Sequence, residues 1–262
     1  MAIYSHSKIS TFEQCPLKFK FRYLDKIIPE VEESIEGFLG NTVHTTLEWL
    51  YKNVMNKNIP KLDELIEFYI NKWTANFSNE IRIVKEDLDS EYYFNQGIKF
   101  IINYYKSHYP FSDNTIALEH RILINLDPEG KYKLQGYIDR LVHNRENNVF
   151  EIHDYKTGNF LKSQEELDKD RQLALYCLGI KETFQNAKDV FLIWHFLAFD
   201  EKIVSKRTDE ELENLKKDTI NSIQKIESET EFKPCPSKLC KWCEFRNICP
   251  LFKNGYLDLS GN

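Results

Sequence analysis

The chain has no long apolar run. Its longest, VFLIWHFLAF at 190–199, contains a histidine and is too short to cross a bilayer. The opening residues MAIYSHSKIS carry no apolar segment of the signal-peptide kind. A soluble, cytoplasmic protein with no membrane partner is therefore expected. There is no excess of basic charge: 35 Lys and Arg stand against 41 Asp and Glu, a net charge of -6. That balance excludes a protein that coats nucleic acid without specificity, but not one with a local basic groove. No G-x4-G-K-[ST] loop is present, so any unwinding of nucleic acid would need a partner. Internal repeats and low-complexity tracts are also missing. What remains is 262 residues, 42% hydrophobic and 14% aromatic, enough for one large domain or two small ones.

Cysteine is unevenly spread. Cys235, Cys240, Cys243 and Cys249 crowd into CPSKLCKWCEFRNICP, while Cys15 and Cys177 stand apart. In a reducing compartment such a cluster points to a metal or an iron–sulfur centre rather than to disulfides. A C-x2-C spacing lets both sulfurs grip one centre. The ligand set is either local, with Cys235, or split, with Cys15 in its place. Spacing alone separates neither these sets nor a zinc site from a cubane cluster. Cys177, in the apolar helical pattern QLALYCLGI, reads as a small core residue.

Hydropathy predicts the elements. Ser10-Thr11-Phe12-Glu13 fits a capping box and predicts that a short helix starts there. Gly40-Asn41 predicts a turn leading into a helix with His44 and Glu48 on one face. Two helices follow within 61–109, so 52–112 reads as a helical insertion. TIALEHRILINL, KYKLQGYIDRLVHN and VFEIHDYKTG then alternate as three strands in hairpin series, punctuated by DPEG and HNREN. A helix over DRQLALYCLGIKETF, a buried strand over DVFLIWHFLAF and a charged helix over 208–230 complete the pattern. The expected class is α/β, with helices packed on a mixed central sheet.

Within EIHDYKTG, Asp154 and Lys156 are two apart on a strand and so share a face. Taken alone, the pair is a strand-end salt bridge. Asp139 of GYIDR lies on the neighbouring strand, however, and two carboxylates with a histidine suit a hard divalent cation. Near the start, Lys18, Lys20, Arg22 and Lys26 are interleaved with Phe19, Phe21 and Tyr23. This is a solvated cationic face or an edge that meets phosphates, with Lys18, Lys20, Arg22 and Tyr23 as the DNA-binding candidates.

In this order the motifs resemble the PD-(D/E)XK nuclease superfamily, in its RecB-like branch with an iron–sulfur cluster. That branch includes the AddB nuclease domain and the CRISPR-associated RecB-like exonucleases. FEQCPLKFKFRYL resembles the N-terminal cysteine motif, GNTVHTTLE the histidine motif, GYIDR the first acidic position, HDYKTG the (D/E)-x-K signature, QLALY the Q-x-x-x-Y motif and CKWCEFRNICP the three-cysteine tail. The resemblance runs from Ser10 to Pro250 and implies a restriction-endonuclease-like core. It implies that His44, Asp139, Asp154 and the Tyr155 main-chain carbonyl hold Mg2+ or Mn2+. Lys156 would orient or activate the water and meet developing negative charge, and Gln172 and Tyr176 would position the scissile strand or support the site. It also implies a [4Fe-4S] cluster on Cys15, Cys240, Cys243 and Cys249, with Cys235 spare and Zn2+ as the alternative occupant. Glu48 and Glu119 could each line the site, but a helix-face or strand-end charge is the better reading for both. The implied function is a metal-dependent DNA nuclease, an exonuclease or endonuclease acting on single-stranded DNA or free ends. It would serve repair, recombination or CRISPR-type defence, beside a helicase, a recombination protein or a CRISPR adaptation protein. A catalytically silent DNA-binding or scaffolding subunit and a cysteine–zinc module are the alternatives.

Overall fold

A computed structural model describes residues 3–30, 33–78 and 80–253. Strand β1 (Ile3–Ser5) runs directly into helix α1 (His6–Gln14). The cap of α1 is Ser5, whose Oγ accepts from the Lys8 N–H at 3.1 Å, and not Ser10. Ser10 and Thr11 lie inside the helix. Ser10 Oγ meets His6 Nε2 at 3.3 Å, and Thr11 Oγ1 donates to the Ser7 carbonyl at 2.8 Å. The same hydroxyls that suggest a cap are spent on bonds to the preceding turn.

Helix α2 (Pro16–Phe19), with proline at its first position, continues into one π-helical turn, Lys20–Leu24. Helix α3 (Ile35–Met55) is capped by Ser34 and passes straight through Gly40-Asn41, where a turn was expected. Gly40 has a packing reason. A Cβ there would stand 3.2 Å from Thr157 Oγ1, so the glycine lets the helix approach the chain just past Lys156. Helices α4 (Leu62–Asn76) and α5 (Ser90–His108) pack on α3 around Leu47, Tyr51, Tyr69, Phe100 and Tyr104.

The alternating region folds as strands β2 (Thr115–Asn125), β3 (Lys133–Asn144) and β4 (Val149–Lys156), consecutive antiparallel hairpins. The Asp127 carboxylate closes the first turn, accepting the N–H groups of Lys131 at 3.0 Å and Tyr132 at 2.6 Å. Helices α6 (Gln164–Asp168) and α7 (Arg171–Thr183) carry the chain over to strand β5 (Asp189–Phe196), parallel to β4. Strand β6 (Glu201–Ser205), helix α8 (Asp209–Ser228), two 3-10 turns (Lys238–Trp242 and Arg246–Ile248) and helix α9 (Pro250–Lys253) follow.

The six-stranded sheet runs β1-β3-β4-β5-β6, with β2 also on β3. Helices α7 and α8 bury one face, through Leu173, Ile180 and Ile223 against Ile122, Ile124, Leu134 and Ile152. The helices α3, α4 and α5 share a separate core with Tyr155 and Leu197. Cys177 is 1% exposed in the first of these cores. The sheet is mixed and helix-flanked, of the restriction-endonuclease-like kind. No helix among the described residues is long and apolar enough to cross a membrane.

Strand β3 decides where a site can open. One edge pairs with β2 along most of its length. The other is shared: β1 takes Lys133 to Gln135, and β4 takes Arg140 to Asn144. Between them, residues 136–139 have no strand partner on that edge, and the backbone parts there.

Candidate active site

Asp139 stands at that parting. The register carries Arg140 onto His153, so the next step would pair Asp139 with Asp154. Instead the Asp139 carboxylate takes over from the ladder: its Oδ2 accepts the Tyr155 main-chain N–H at 2.9 Å. His44, on the α3 face that Gly40 brings close, completes the corner. Its Nε2–H donates to the Tyr155 carbonyl at 2.8 Å, which leaves Nδ1 facing Asp139 Oδ2 at 3.4 Å. In that tautomer a nitrogen lone pair faces a carboxylate oxygen. Such a pair calls for a positive charge between them, a proton or a metal ion.

On β4, Asp154 is 5% exposed and Lys156 Nζ lies 2.7 Å from its Oδ2. Lys156 thus covers this buried carboxylate oxygen with its ammonium. The donor set fits a hard divalent cation: carboxylates, one imidazole and one carbonyl. Lys156 Nζ also donates to Gln172 Oε1 at 3.1 Å, and Gln172 Nε2 reaches Tyr176 Oη at 3.5 Å one helical turn on. Asp170 caps α7 and accepts the Gln172 N–H at 3.0 Å, which fixes the start of the helix carrying both residues.

The electrostatics follow from this crowding. Burial raises the pKa of Asp139, and the neighbouring Asp154 and Glu119 carboxylates raise it further, while His44 and the Tyr155 N–H oppose them. Burial works against the charge of Lys156, yet Asp154, Asp139 and Asp170 hold its pKa above the ordinary lysine value. Burial likewise raises the Tyr176 phenol.

Glu119 belongs to this group, and not to a strand end. It sits mid-strand in β2 between Leu118, paired with Arg140, and His120, paired with Ile138, which places it opposite Asp139. One ligand atom each from Glu119, His44 and Asp139 lie within 4.8 Å of one another. Its backbone is at φ +44°, an uncommon conformation for a residue other than glycine and one found preferentially at functional sites. Glu48 is the helix-face charge expected, paired with Lys52 at 2.6 Å.

A second polar network lies next to the first, and nothing in the local sequence announces it. Arg140 is wholly buried. Its guanidinium donates to Tyr155 Oη at 3.1 Å, Asp113 Oδ2 at 3.0 Å, Thr115 Oγ1 at 3.3 Å and His153 Nδ1 at 2.8 Å. It also lies over the Tyr51 ring at 4.2 Å. His195 Nε2 lies 2.8 Å from the same His153 nitrogen.

Cys15, Cys235, Cys240, Cys243 and Cys249 line one pocket with Leu17, Phe21, Phe245 and Phe252, of about 490 Å³ including space open to solvent. Main-chain N–H groups point at two of the sulfurs: Cys235 N to Cys15 Sγ and Ser237 N to Cys240 Sγ, both at 3.4 Å. Beside the pocket, Lys18 and Arg22 both pair with Glu244, and Lys20 pairs with Asp25. Tyr23 packs against the core at Phe19.

Comparison with known proteins bears on the family and the fold. The family model of the PD-(D/E)XK nuclease superfamily matches residues 3–250. Among solved structures, a protein from Eubacterium rectale described as a "Putative exonuclease" aligns with a TM-score of 0.52 at 11% identity, covering 99% of this chain and 90% of its own. At that identity the likeness speaks for the fold. The structure of SSO0001 aligns at a TM-score of 0.42 and 15% identity, over 92% of this chain and 84% of that one. None of the curated proteins compared with the chain matches it.

Proposed function

The chain belongs to the PD-(D/E)XK nuclease superfamily, and from that premise we propose a divalent-metal-dependent deoxyribonuclease of the RecB-like branch. Its substrate is single-stranded DNA or a free end, and its reaction is phosphodiester hydrolysis. The observation that carries this reading is the meeting of Asp139, Asp154, Lys156 and His44 where β3 and β4 part. Asp139, Asp154, His44 and the Tyr155 carbonyl would hold Mg2+ or Mn2+, with Glu119 as a further carboxylate. When bound, the ion supplies a nucleophilic water near neutral pH and positive charge for the phosphate. Lys156 then presents an ammonium to the charge that develops on the phosphate oxygens. Gln172 holds the lysine in place, and Tyr176 backs Gln172. Repair, recombination or CRISPR-type defence would use such an activity, with a helicase or adaptation protein as partner.

The test is cleavage of end-labelled linear and of circular single-stranded DNA. Cleavage is expected with Mg2+ or Mn2+ and not with EDTA, and an uncut circle marks end dependence. No cleavage with either metal would move the chain to the class of silent DNA-binding subunits.

On this reading the chain, 1–262, is one nuclease domain, whose ends at 1–2 and 254–262 lie outside the described residues, with 52–112 as its helical insertion and the cysteine segment 235–250 joined to Cys15 by a [4Fe-4S] cluster. One observation supports a thiolate-ligated centre here: main-chain N–H groups are aimed at two of the sulfurs, a means by which iron–sulfur centres are tuned. Cys235 is exposed whereas Cys15, Cys240, Cys243 and Cys249 are half-buried, which favours the split ligand set. Lys18 and Arg22 then clamp the cysteine segment through Glu244 in place of meeting phosphates. Anaerobically purified Cys15→Ser is expected to lose the absorbance near 400 nm, and Cys235→Ser to keep it. The reverse pattern would assign the local set.

A further inference from the structure

The β2–β3 hairpin buries one face and leaves the other open. Ile122, Ile124, Leu134 and Ile138 face the core. The intervening residues form rungs on the outer face, because cross-strand partners point the same way. Starting from Glu119 and Asp139 at the candidate metal site, the next rung is Arg121 opposite Tyr137, then Leu123 opposite Gln135, then Asn125 opposite Lys133. Each rung lies roughly 7 Å beyond the last. The face is open at these rungs: Tyr137 is 51% exposed, Leu123 is 47% exposed, and Arg121 is exposed beside them.

The chemistry of the strip changes along its length. Its carboxylates stand at the metal end. The three rungs beyond carry none, but offer a large aromatic ring, two cations and two amides. Arg121 and Lys133 make no ion pair among the described residues. Arg121 is instead steadied by Gln135, whose Oε1 accepts from its Nη2 at 2.9 Å. In a chain of net charge -6, an unpaired cation beside an exposed ring, continuous with a phosphodiester-cleaving site, complements a polyanion whose bases are free to stack. Bases inside a duplex are already stacked on both faces, so the ring discriminates against duplex.

We propose that the open face of the β2–β3 hairpin is the subsite for the single strand that leads to the cleavage point, with a base stacked on Tyr137 and the adjoining phosphate on Arg121. This deepens the nuclease reading and rests on it for the direction of the strand. Binding can nevertheless be measured without cleavage. The probe is a fluorescently labelled single-stranded oligonucleotide, followed by anisotropy in EDTA with the intact chain. Tyr137→Ala is expected to weaken binding on the order of 10- to 100-fold, and Tyr137→Phe to keep it. Arg121→Ala is expected to weaken binding and to lower the dependence of log affinity on log salt by about one. Hydrolysis of bis(p-nitrophenyl) phosphate by the wild type reads the cleavage chemistry separately, and circular dichroism should show the fold unchanged by either substitution. Equal binding by wild type and Tyr137→Ala, or no binding by wild type, overturns the proposal. Failure of the nuclease reading looks different: the small diester is not hydrolysed, while the loss of binding in Tyr137→Ala persists.

Discussion

Lys156→Ala is expected to lose DNA cleavage by roughly 10²- to 10³-fold or more, the scale seen when one preorganised donor to a developing oxyanion is removed. The lysine makes two contacts, the Asp154 carboxylate at 2.7 Å and the Gln172 amide at 3.1 Å. Neither partner can replace the ammonium, since a carboxylate repels the phosphate and an amide carries no charge. Lys156→Arg should not restore the rate, because a planar guanidinium cannot supply a compact point charge from the same stem. Asp154→Ala is expected to be as severe, by removing a carboxylate of the proposed metal site together with the partner that holds Lys156. Gln172→Ala should cost less, since it only loosens the lysine. Fold and melting temperature should change little in Lys156→Ala, whose side chain is 35% exposed. The measurement is the rate on end-labelled single-stranded DNA at fixed Mg2+, with circular dichroism as control. Full activity in both Lys156→Ala and Asp154→Ala would remove the site from its place at the parting of β3 and β4.

Much of this site can be read along the chain because its parts are local. Asp154 and Lys156 are two apart on one strand, and Gln172 and Tyr176 are one turn apart on one helix, so periodicity alone sets each pair on a face. The hairpins show in the alternation of 115–156 and in the turn residues that punctuate it. Strands β1 and β6 escape notice because three and five residues are too few for an alternation to register. Ser5 escapes as a cap because Ser10 offers a stronger local signal, and only the helix geometry decides between them. Gly40 reads as a turn because its reason, the close approach of Thr157, lies more than a hundred residues away. Glu119 fails for the same reason. Only the hairpin register puts it opposite Asp139, and register is a property of two strands together. The meeting of Arg140, His153 and His195 depends in turn on β3, β4 and β5 lying side by side.

Arg140→Ala is the substitution expected to damage the fold most, by about 3–5 kcal/mol, the range for breaking a buried charged network from one side. In a chain of this size that corresponds to a fall in melting temperature of roughly 5–10 °C. The reason is what stays behind. The Tyr155 hydroxyl and His153 Nδ1 are buried and lose a donor, while Asp113, with its side chain 42% exposed, can turn to water. Arg140→Met fills most of the volume without supplying those bonds. A Met variant as stable as wild type would mean that packing, and not the network, carries the effect. The loss should also reach the active site. Arg140 adjoins Asp139 on β3, and Tyr155, which it holds by the phenol, offers its carbonyl to His44. A dependence on pH separates this account from a simple cavity. Burial lowers the pKa of His153 well below the usual value, and Arg140 lowers it further. The unfolded chain therefore takes up protons at His153 more readily than the folded one, and wild-type stability falls as pH drops below the ordinary histidine range. Without Arg140 the folded state tolerates that proton better. The destabilisation measured by urea unfolding should then be larger at pH 8 than at pH 5, whereas a cavity alone would cost the same at both.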